Sequence, residues 1–325
     1  MNVLVVGGAG YIGAHMVKWL ARAGHAVTTL DNLSTGHADA VRYGKRVIGD
    51  MADTALLDQV FTAERFDAVM HFAAFSLVAE SIADPAIYYR NNVSHTINLL
   101  DAMRRHDVRQ FIFSSSASTY GEPLQDLISE DHPQNPINPY GRSKWMVEQL
   151  LDDYASAYGL QSVCLRYFNA AGADPEGELG ERHEPETHLI PLVLEAAAGQ
   201  RAAITVFGTD YPTPDGSCIR DYIHVQDLCD AHLKALLWMQ ETGRSGRFNL
   251  GNGTGFSVLS VIEAARAVTG KPIPIVISDR RPGDPARLVA DARLARSILG
   301  WVPAYPDLDR IIADAWRWTC RSRDR

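Results

Sequence analysis

The chemistry available to this chain starts from a phenol and an ammonium. Tyr140 and Lys144 stand four apart in the run NPYGRSK, and on a helix that spacing puts both on one face. There the ammonium would draw the phenol from its usual pKa of ~10 toward the working range of a general base. Ser114, Ser115 and Ser116 end an apolar run upstream, and Ser116 could share a substrate proton with Tyr140. A Tyr/Lys pair at this spacing also occurs on many solvated helix faces, so its weight depends on what surrounds it.

What surrounds it begins with glycines. Gly7-Gly8-Ala9-Gly10-Tyr11-Ile12-Gly13 follows the apolar run Val3 to Val6 and opens a helical pattern. Glycine permits a tight turn and lets backbone N–H groups approach a pyrophosphate, while the helix N-terminus adds partial positive charge. Asp31 comes eighteen residues after Gly13, closing a second strand-like run. A carboxylate there accepts bonds from ribose hydroxyls and repels a 2′-phosphate, which favours NAD over NADP. Asp50, ending RVIGD, could take an adenine amino group or merely serve a turn.

Elements able to position these residues are legible as a rhythm. Short β-branched runs (Val3 to Val6, Ala26 to Leu30, Asp67 to His71, Gln110 to Ser114) alternate with helical patterns (Tyr11 to Ala23, Asp53 to Glu64, Ala86 to His106, Pro139 to Tyr158). That is a parallel sheet wrapped by helices on both faces. Cys164 to Phe168 reads as a late strand of it. Residues 171–188, acidic and rich in Gly and Pro, read as a long exposed loop marking a domain change. The expected organisation is a Rossmann-type α/β domain over residues 1–170 and a smaller α/β substrate-binding domain over 171–325, with some later segments returning to pack on the first. A closing helix from Leu308 to Cys320 turns Ile311, Ile312, Ala315 and Trp316 one way, and Trp316 and Trp318 read as packing residues.

Composition narrows the classes. The 325 residues (35.8 kDa) are 46% hydrophobic and 22% charged, with a formal net charge of −8, the make-up of a globular protein with a large core. A non-specific nucleic-acid binder should be basic, so none is expected. Cys164, Cys218, Cys229 and Cys320 form no CxxC or Cys/His cluster, so neither disulfides nor a metal site is expected. His71, His183 and His224 read as structural or solvated. No apolar stretch nears the roughly eighteen residues of a membrane helix, and no leader pattern opens the chain, so a soluble, cytoplasmic protein is expected.

A series of blocks in one order carries more information than any single motif. GGAGYIG, LDNLSTG, HFAAFSLVAES, NNV, SSSASTYG, NPYGRSK, RYFNAAG, THLIP, FGTDYPTPDGSCIRDYIHVQDL, NLGNGTGFSV and RRPGD resemble the extended short-chain dehydrogenase/reductase family, and within it the 4-epimerases of UDP-glucose and UDP-galactose, over nearly the whole chain. The resemblance implies tightly held NAD, a homodimer formed through helices around Asn91 to His106 and Tyr140 to Tyr158, and a UDP-sugar substrate. In the implied redox cycle Tyr140 takes the proton of the sugar 4-hydroxyl while C4 gives up a hydride. A 4-keto sugar then turns and is reduced again on its other face. Lys144 partners the phenol and anchors the nicotinamide ribose, and Ser116 is the hydrogen-bonding neighbour.

The resemblance also assigns the remaining positions. Cofactor contacts fall on the glycine turn with Tyr11 and Ile12, on Asp31 and Asn32, on Asp50 and Met51, on Phe72, Ala73 and Ala74, and on Asn91, Ser114 and Phe168. The UDP-sugar falls to Ser116, Tyr140, Asn169, His188, Leu189, Phe207, Arg220, Tyr222, Arg281, Asp284 and Leu288. Arg220 and Arg281 suit a pyrophosphate because guanidinium forks bind it bidentately, although either could be spent on an ion pair with a nearby aspartate. Asn169 could equally cap a turn.

Three positions depart from the family pattern. Ser76 replaces a lysine near the cofactor, His188 an asparagine beside the diphosphate, and Leu288 a bulkier tyrosine, which would open the pocket to N-acetylated sugars, with UDP-pentoses also open. A 4,6-dehydratase would need a carboxylate where this chain has Ser116-Ala117-Ser118. A non-catalytic NAD-sensing regulator would be expected to lack the Tyr/Lys pair.

Overall fold

The computed structural model describes residues 1–281 and 284–322. Its centre is a seven-stranded sheet whose every pairing is parallel. In chain order its framework is β1 (Asn2–Val6), α1 (Tyr11–Arg22), β2 (Ala26–Asp31), β3 (Lys45–Ile48), α2 (Thr54–Ala63), β4 (Ala68–His71), α3 (His95–Arg105), β5 (Gln110–Ser116), α4 (Pro139–Tyr158), β6 (Gln161–Tyr167), α5 (Leu189–Ala197), α6 (Val225–Thr242) and β7 (Gly246–Leu250). The strand order is β7-β6-β5-β4-β1-β2-β3, so the chain reverses direction between β1 and β4, the crevice where doubly wound sheets hold ligands.

The uninterrupted apolar strands follow from burial on both faces. Side chains of β1 alternate: Val3 and Val5 pack with Met16, Leu20 and Leu236 of α1 and α6. Leu4 and Val6 pack with Leu57, Leu99 and Val147 of α2, α3 and α4. Residues 225–250 therefore return to the first sheet, α6 covering it and β7 extending its edge beside β6. A second cluster joins α5 to the helices Val258–Thr269 and Leu308–Ser322, where Ile311, Ile312, Ala315 and Trp316 face it as expected.

Two sequence expectations need correction. Ala86 to His106 is not one helix. It comprises Pro85–Tyr88, a π-helical turn Tyr89–Ser94, and α3. The buried Asn92 explains the widening: its amide bonds the backbone of Phe75 in both directions and reaches Ser143 Oγ, competing with regular helix. Residues 172–188 form no regular element, yet the segment is not an exposed loop. Ala173, Asp174 and Leu179 are buried. Lys18 Nζ, itself buried on α1, lies 2.7 Å from Asp174, 3.0 Å from Glu176 and 3.1 Å from Glu178. The acidity that suggested solvent exposure instead neutralises α1.

Three buried histidines are held neutral by desolvation. Burial lowers His15 to about 4, His71 to about 3 and His232 to about 4. The unfolded chain protonates the same imidazoles near 6.5. Below that pH it binds more protons than the native state, so stability falls with pH at up to ~1.4 kcal/mol per unit per histidine. Urea unfolding should therefore show lower stability at pH 5.5 than at pH 7, with the difference shrinking in His232→Gln. Equal stability at the two pH values would contradict this.

Candidate active site

β1 delivers the glycine turn into the crevice. Gly7 adopts φ +83°, and a Cβ there would lie 2.5 Å from Ala73 N. At Gly13 it would lie 2.1 Å from Gly7 O. The turn is thus closed against both the end of β4 and its own helix, which only glycine allows. Asp31, at the end of β2, locks it from the other side. One carboxylate oxygen accepts Ala9 N at 2.9 Å and the other Leu33 N at 2.8 Å.

Gly7, Gly10 and Asp31 line an open cleft together with Asn32, Met51, Phe72, Ala73, Ala74 and Asn91. The crevice therefore gathers most positions expected to hold the cofactor. Asp50 lines it too, while serving a turn: it accepts Ala52 N at 2.8 Å and Asn32 Nδ2 at 2.7 Å. Tyr11 and Ile12 turn their side chains elsewhere. The Tyr11 hydroxyl donates to Gly172 O at 2.7 Å, and Ile12 packs on the core. Ser76 is exposed beyond Phe75.

The catalytic candidates come together at the C-terminal end of β5. Asn138 caps α4 by accepting Gly141 N at 2.8 Å, and Pro139 occupies the first turn, a strong start signal. This holds Tyr140 half-buried opposite Ser116. Burial raises the Tyr140 phenol, and the Ser116 hydroxyl opposes the rise. Lys144 lies on the same helical face, 6.0 Å from the Tyr140 ring centre, but its ammonium donates to Ser114 O at 2.8 Å. The expected depression of the phenol by Lys144 therefore does not arise from this arrangement, because the buried ammonium is directed to the nearest carbonyl. Burial brings Lys144 itself down to about 7, with Glu148 opposing. Ser114 Oγ meets Tyr167 OH.

Sequence reasoning missed the group that seats this helix. Glu148 follows Lys144 by four residues and continues the stripe. Its carboxylate accepts Arg166 Nε at 2.9 Å and Nη2 at 2.5 Å from β6, and Ser115 Oγ at 2.6 Å from β5. Both ionic partners are about 1% exposed. Burial pushes the Glu148 carboxyl up, but Arg166 and Ser115 outweigh it and hold it below the usual range. A charged residue inside the apolar strand sequence VCLRYF was the available signal.

The remaining expected positions lie beyond β6. A cluster of Ala117, Tyr120 and Ile128 touches Phe168 and the half-buried Leu288, joining the end of the serine strand to the second domain. Asn169 Nδ2 donates to Asp221 O at 3.0 Å. Arg220 pairs with Asp284 and donates to Pro285 O, so the ion-pair alternative is realised there. Arg281 lies 3.9 Å over the Phe207 ring. Tyr222 is buried in the small domain's apolar cluster. Leu189 opens α5 and packs against that cluster, and His188 caps the helix with its imidazole turned to Glu181.

Residues 3–251 match the NAD dependent epimerase/dehydratase family. The chain belongs to that family. A relative from Halalkalibacterium halodurans, a UDP-glucose 4-epimerase, is 55% identical over 318 residues, 98% of this chain and 95% of that protein. The crystal structure of UDP-glucose 4-epimerase from Brucella ovis in complex with NAD is 53% identical, superposes with a TM-score of 0.95 and covers 97% of each chain. The UDP-Glc/GlcNAc 4-epimerase from Campylobacter jejuni is 43% identical with a TM-score of 0.87, covering 98% of this chain and 99% of that one. NAD is accordingly this family member's cofactor, and the donor set fits it: a glycine turn closed to side chains, a helix N-terminus and an aspartate at the end of β2. Among the described residues no helix is long and apolar enough to cross a membrane.

Asp31→Asn keeps the side chain's size but removes its charge and one of two acceptors for buried amides. NAD affinity is expected to fall at least about tenfold, since a charge-assisted hydrogen bond is worth about 1.5–3 kcal/mol. Cofactor titration followed by fluorescence would check this, and unchanged affinity would refute the assignment.

Proposed function

We propose that this protein interconverts UDP-glucose and UDP-galactose by NAD-dependent epimerisation at C4. The observation that carries the reading is Tyr140 beside Ser116 with Lys144 on the same helix face, at the end of β5 next to β4, with no carboxylate in Ser116-Ala117-Ser118. A dehydratase would need an acid/base group there. Ser116 accepts Ser118 N at 3.1 Å and Ala117 is buried, leaving proton transfer to Tyr140.

The glycine turn, Asp31 and Lys144 would hold NAD, which supplies a hydride acceptor and donor for sugar C4. Tyr140 takes the proton of the 4-hydroxyl and gives one back to the oxygen on return, and Ser116 bonds the same oxygen. Because Lys144 is desolvated, its charged form is costly beside the site, and a negative phenolate is the charge that would stabilise it. The nucleotide falls to the small domain, where Arg281 is exposed and stacked on Phe207. Arg220 would act on a diphosphate after exchanging its bond to Asp284.

A second substrate class has its own support. Leu288 is smaller than the tyrosine of restrictive epimerases, and the Campylobacter relative carries both sugars in its name. We propose that N-acetylated UDP-hexosamines are turned over as well. We also place the protein in the cytoplasm as a homodimer through α3 and α4, where the exposed Met146 and Tyr158 offer apolar surface.

The test is a panel of UDP-hexoses, UDP-N-acetylhexosamines and UDP-pentoses incubated with purified protein and no added cofactor. C4 epimers of the glucose and N-acetylglucosamine pairs are expected, with no loss of oxygen at C6. Tyr140→Phe should retain NAD while kcat drops roughly a hundredfold or more. Wild-type rates in that variant would remove Tyr140 as the base. Absence of N-acetylhexosamine turnover would remove the second class.

A further inference from the structure

The segment bridging the two domains gathers four donors, of which only His188 falls at an expected substrate position, and its imidazole turns to Glu181 instead. Glu181, His183, Glu186 and His188 lie within eight residues in the pattern E-x-H-x-x-E-x-H. One ligand atom from each lies within 4.8 Å of all the others. We propose that these four residues bind one divalent first-row metal ion, with zinc the best match, and that the ion fixes the 172–188 segment over α1.

The spacings around Glu181 and the two Glu186 oxygens leave room for an ion at the centre of the group. Glu181 Oε1 to His183 Nδ1 is 3.2 Å, His183 Nδ1 to Glu186 Oε2 is 3.6 Å, and His188 Nδ1 to Glu186 Oε1 is 3.5 Å. A tetrahedral zinc with bonds of about 2.0–2.2 Å places its ligand atoms about 3.3–3.6 Å apart. An octahedral ion with bonds of about 2.1 Å would bring adjacent ligands to about 3.0 Å. The remaining contact, His188 Nδ1 to Glu181 Oε1, is 2.6 Å, a hydrogen bond that must open by less than an ångström for an ion to enter.

Hydrogen bonding leaves the cluster incomplete. Both imidazoles turn Nδ1 toward the same Glu181 oxygen from rings 5.2 Å apart. His183 Nδ1 is buried and lies 3.2 Å from Glu181 Oε1 without hydrogen-bond geometry. Among the described residues the only ion-pair partners of Glu181 and Glu186 are these two histidines. The neighbouring acidic group Asp174, Glu176 and Glu178 differs, because Lys18 occupies its centre. Two carboxylates, two neutral imidazoles and one divalent cation make an electroneutral site, and imidazole with carboxylate suits zinc among first-row ions.

Outer partners already orient the ligands, as metal sites require. Glu186 Oε1 accepts Thr187 N and His188 N, each at 2.8 Å. Trp318 Nε1 donates to Glu181 O at 3.1 Å, and the Tyr11 ring meets His183 edge-on at 6.4 Å. An ion here would tie the segment to the tyrosine that follows the glycine turn.

The full-length, NAD-bearing protein should be stripped with chelator, incubated with zinc, passed through gel filtration and analysed for metal. About one zinc per chain is expected, and cobalt in its place should give the intense visible bands of a tetrahedral site. His183→Asn and Glu186→Gln should each weaken zinc binding by more than the ~10–100-fold that loss of an outer-shell partner costs, whereas Glu178→Gln should bind as the parent does. Substoichiometric zinc in the parent, weak octahedral cobalt bands, or retention of zinc by both ligand variants would each overturn the proposal. The parent's stoichiometry and spectrum decide the matter even if a variant fails to fold.

Discussion

The site rests on one buried ion pair, Glu148 with Arg166. Tyr140, Lys144 and Glu148 occupy one face of a single helix at intervals of four. The last of them grips a guanidinium fork from the neighbouring strand and a serine hydroxyl from the strand beyond. A helix packed by apolar contacts alone can slide or roll by a fraction of a turn at small cost. A bidentate charged contact fixes both rotation and height. Such a pair adds little net stability, because desolvating two charges offsets most of their attraction, so its contribution is geometric: it sets where the phenol stands relative to the crevice.

The crevice itself is a consequence of chain order. β1 and β4 are adjacent strands whose connections leave in opposite directions, and the glycine turn after β1 meets Phe72 and Ala73 after β4 without any side chain between. The serine strand is the next one over. Backbone amides, the Asp31 carboxylate and the Tyr140 phenol are therefore brought to one sheet edge by topology, where Leu288 packs beside Phe168 and Ala117.

Local features of the sequence were the legible ones. The glycine spacing, the Tyr140/Lys144 spacing and the helix start at Pro139 all express themselves within a few residues, and the structure forms the turn and the helix there. Features that depend on distant partners were not. Arg166 signals that some acid must meet it, but nothing nearby says that Glu148 does. The acidic run 174–178 reads as solvent-facing until Lys18, more than a hundred residues away, is seen buried against it. Lys144 reads as a partner for the phenol, and only the approach of the Ser114 carbonyl shows where the ammonium points. The π turn at Tyr89–Ser94 depends on Asn92 finding Phe75 and Ser143. Glu181, His183, Glu186 and His188 stand within eight residues, but only the course of the segment turns their ligand atoms together.

If Glu148 sets the position of the tyrosine helix, removing its charge should impair turnover without emptying the site. The direct measurement is kcat, KM and NAD content for Glu148→Gln beside the parent enzyme. The account predicts a folded, NAD-bearing variant whose kcat falls by on the order of tenfold or more, as expected when a reacting group is slightly misplaced, while KM for the UDP-sugar changes little. A variant that keeps its NAD and turns over at the parental rate would contradict it.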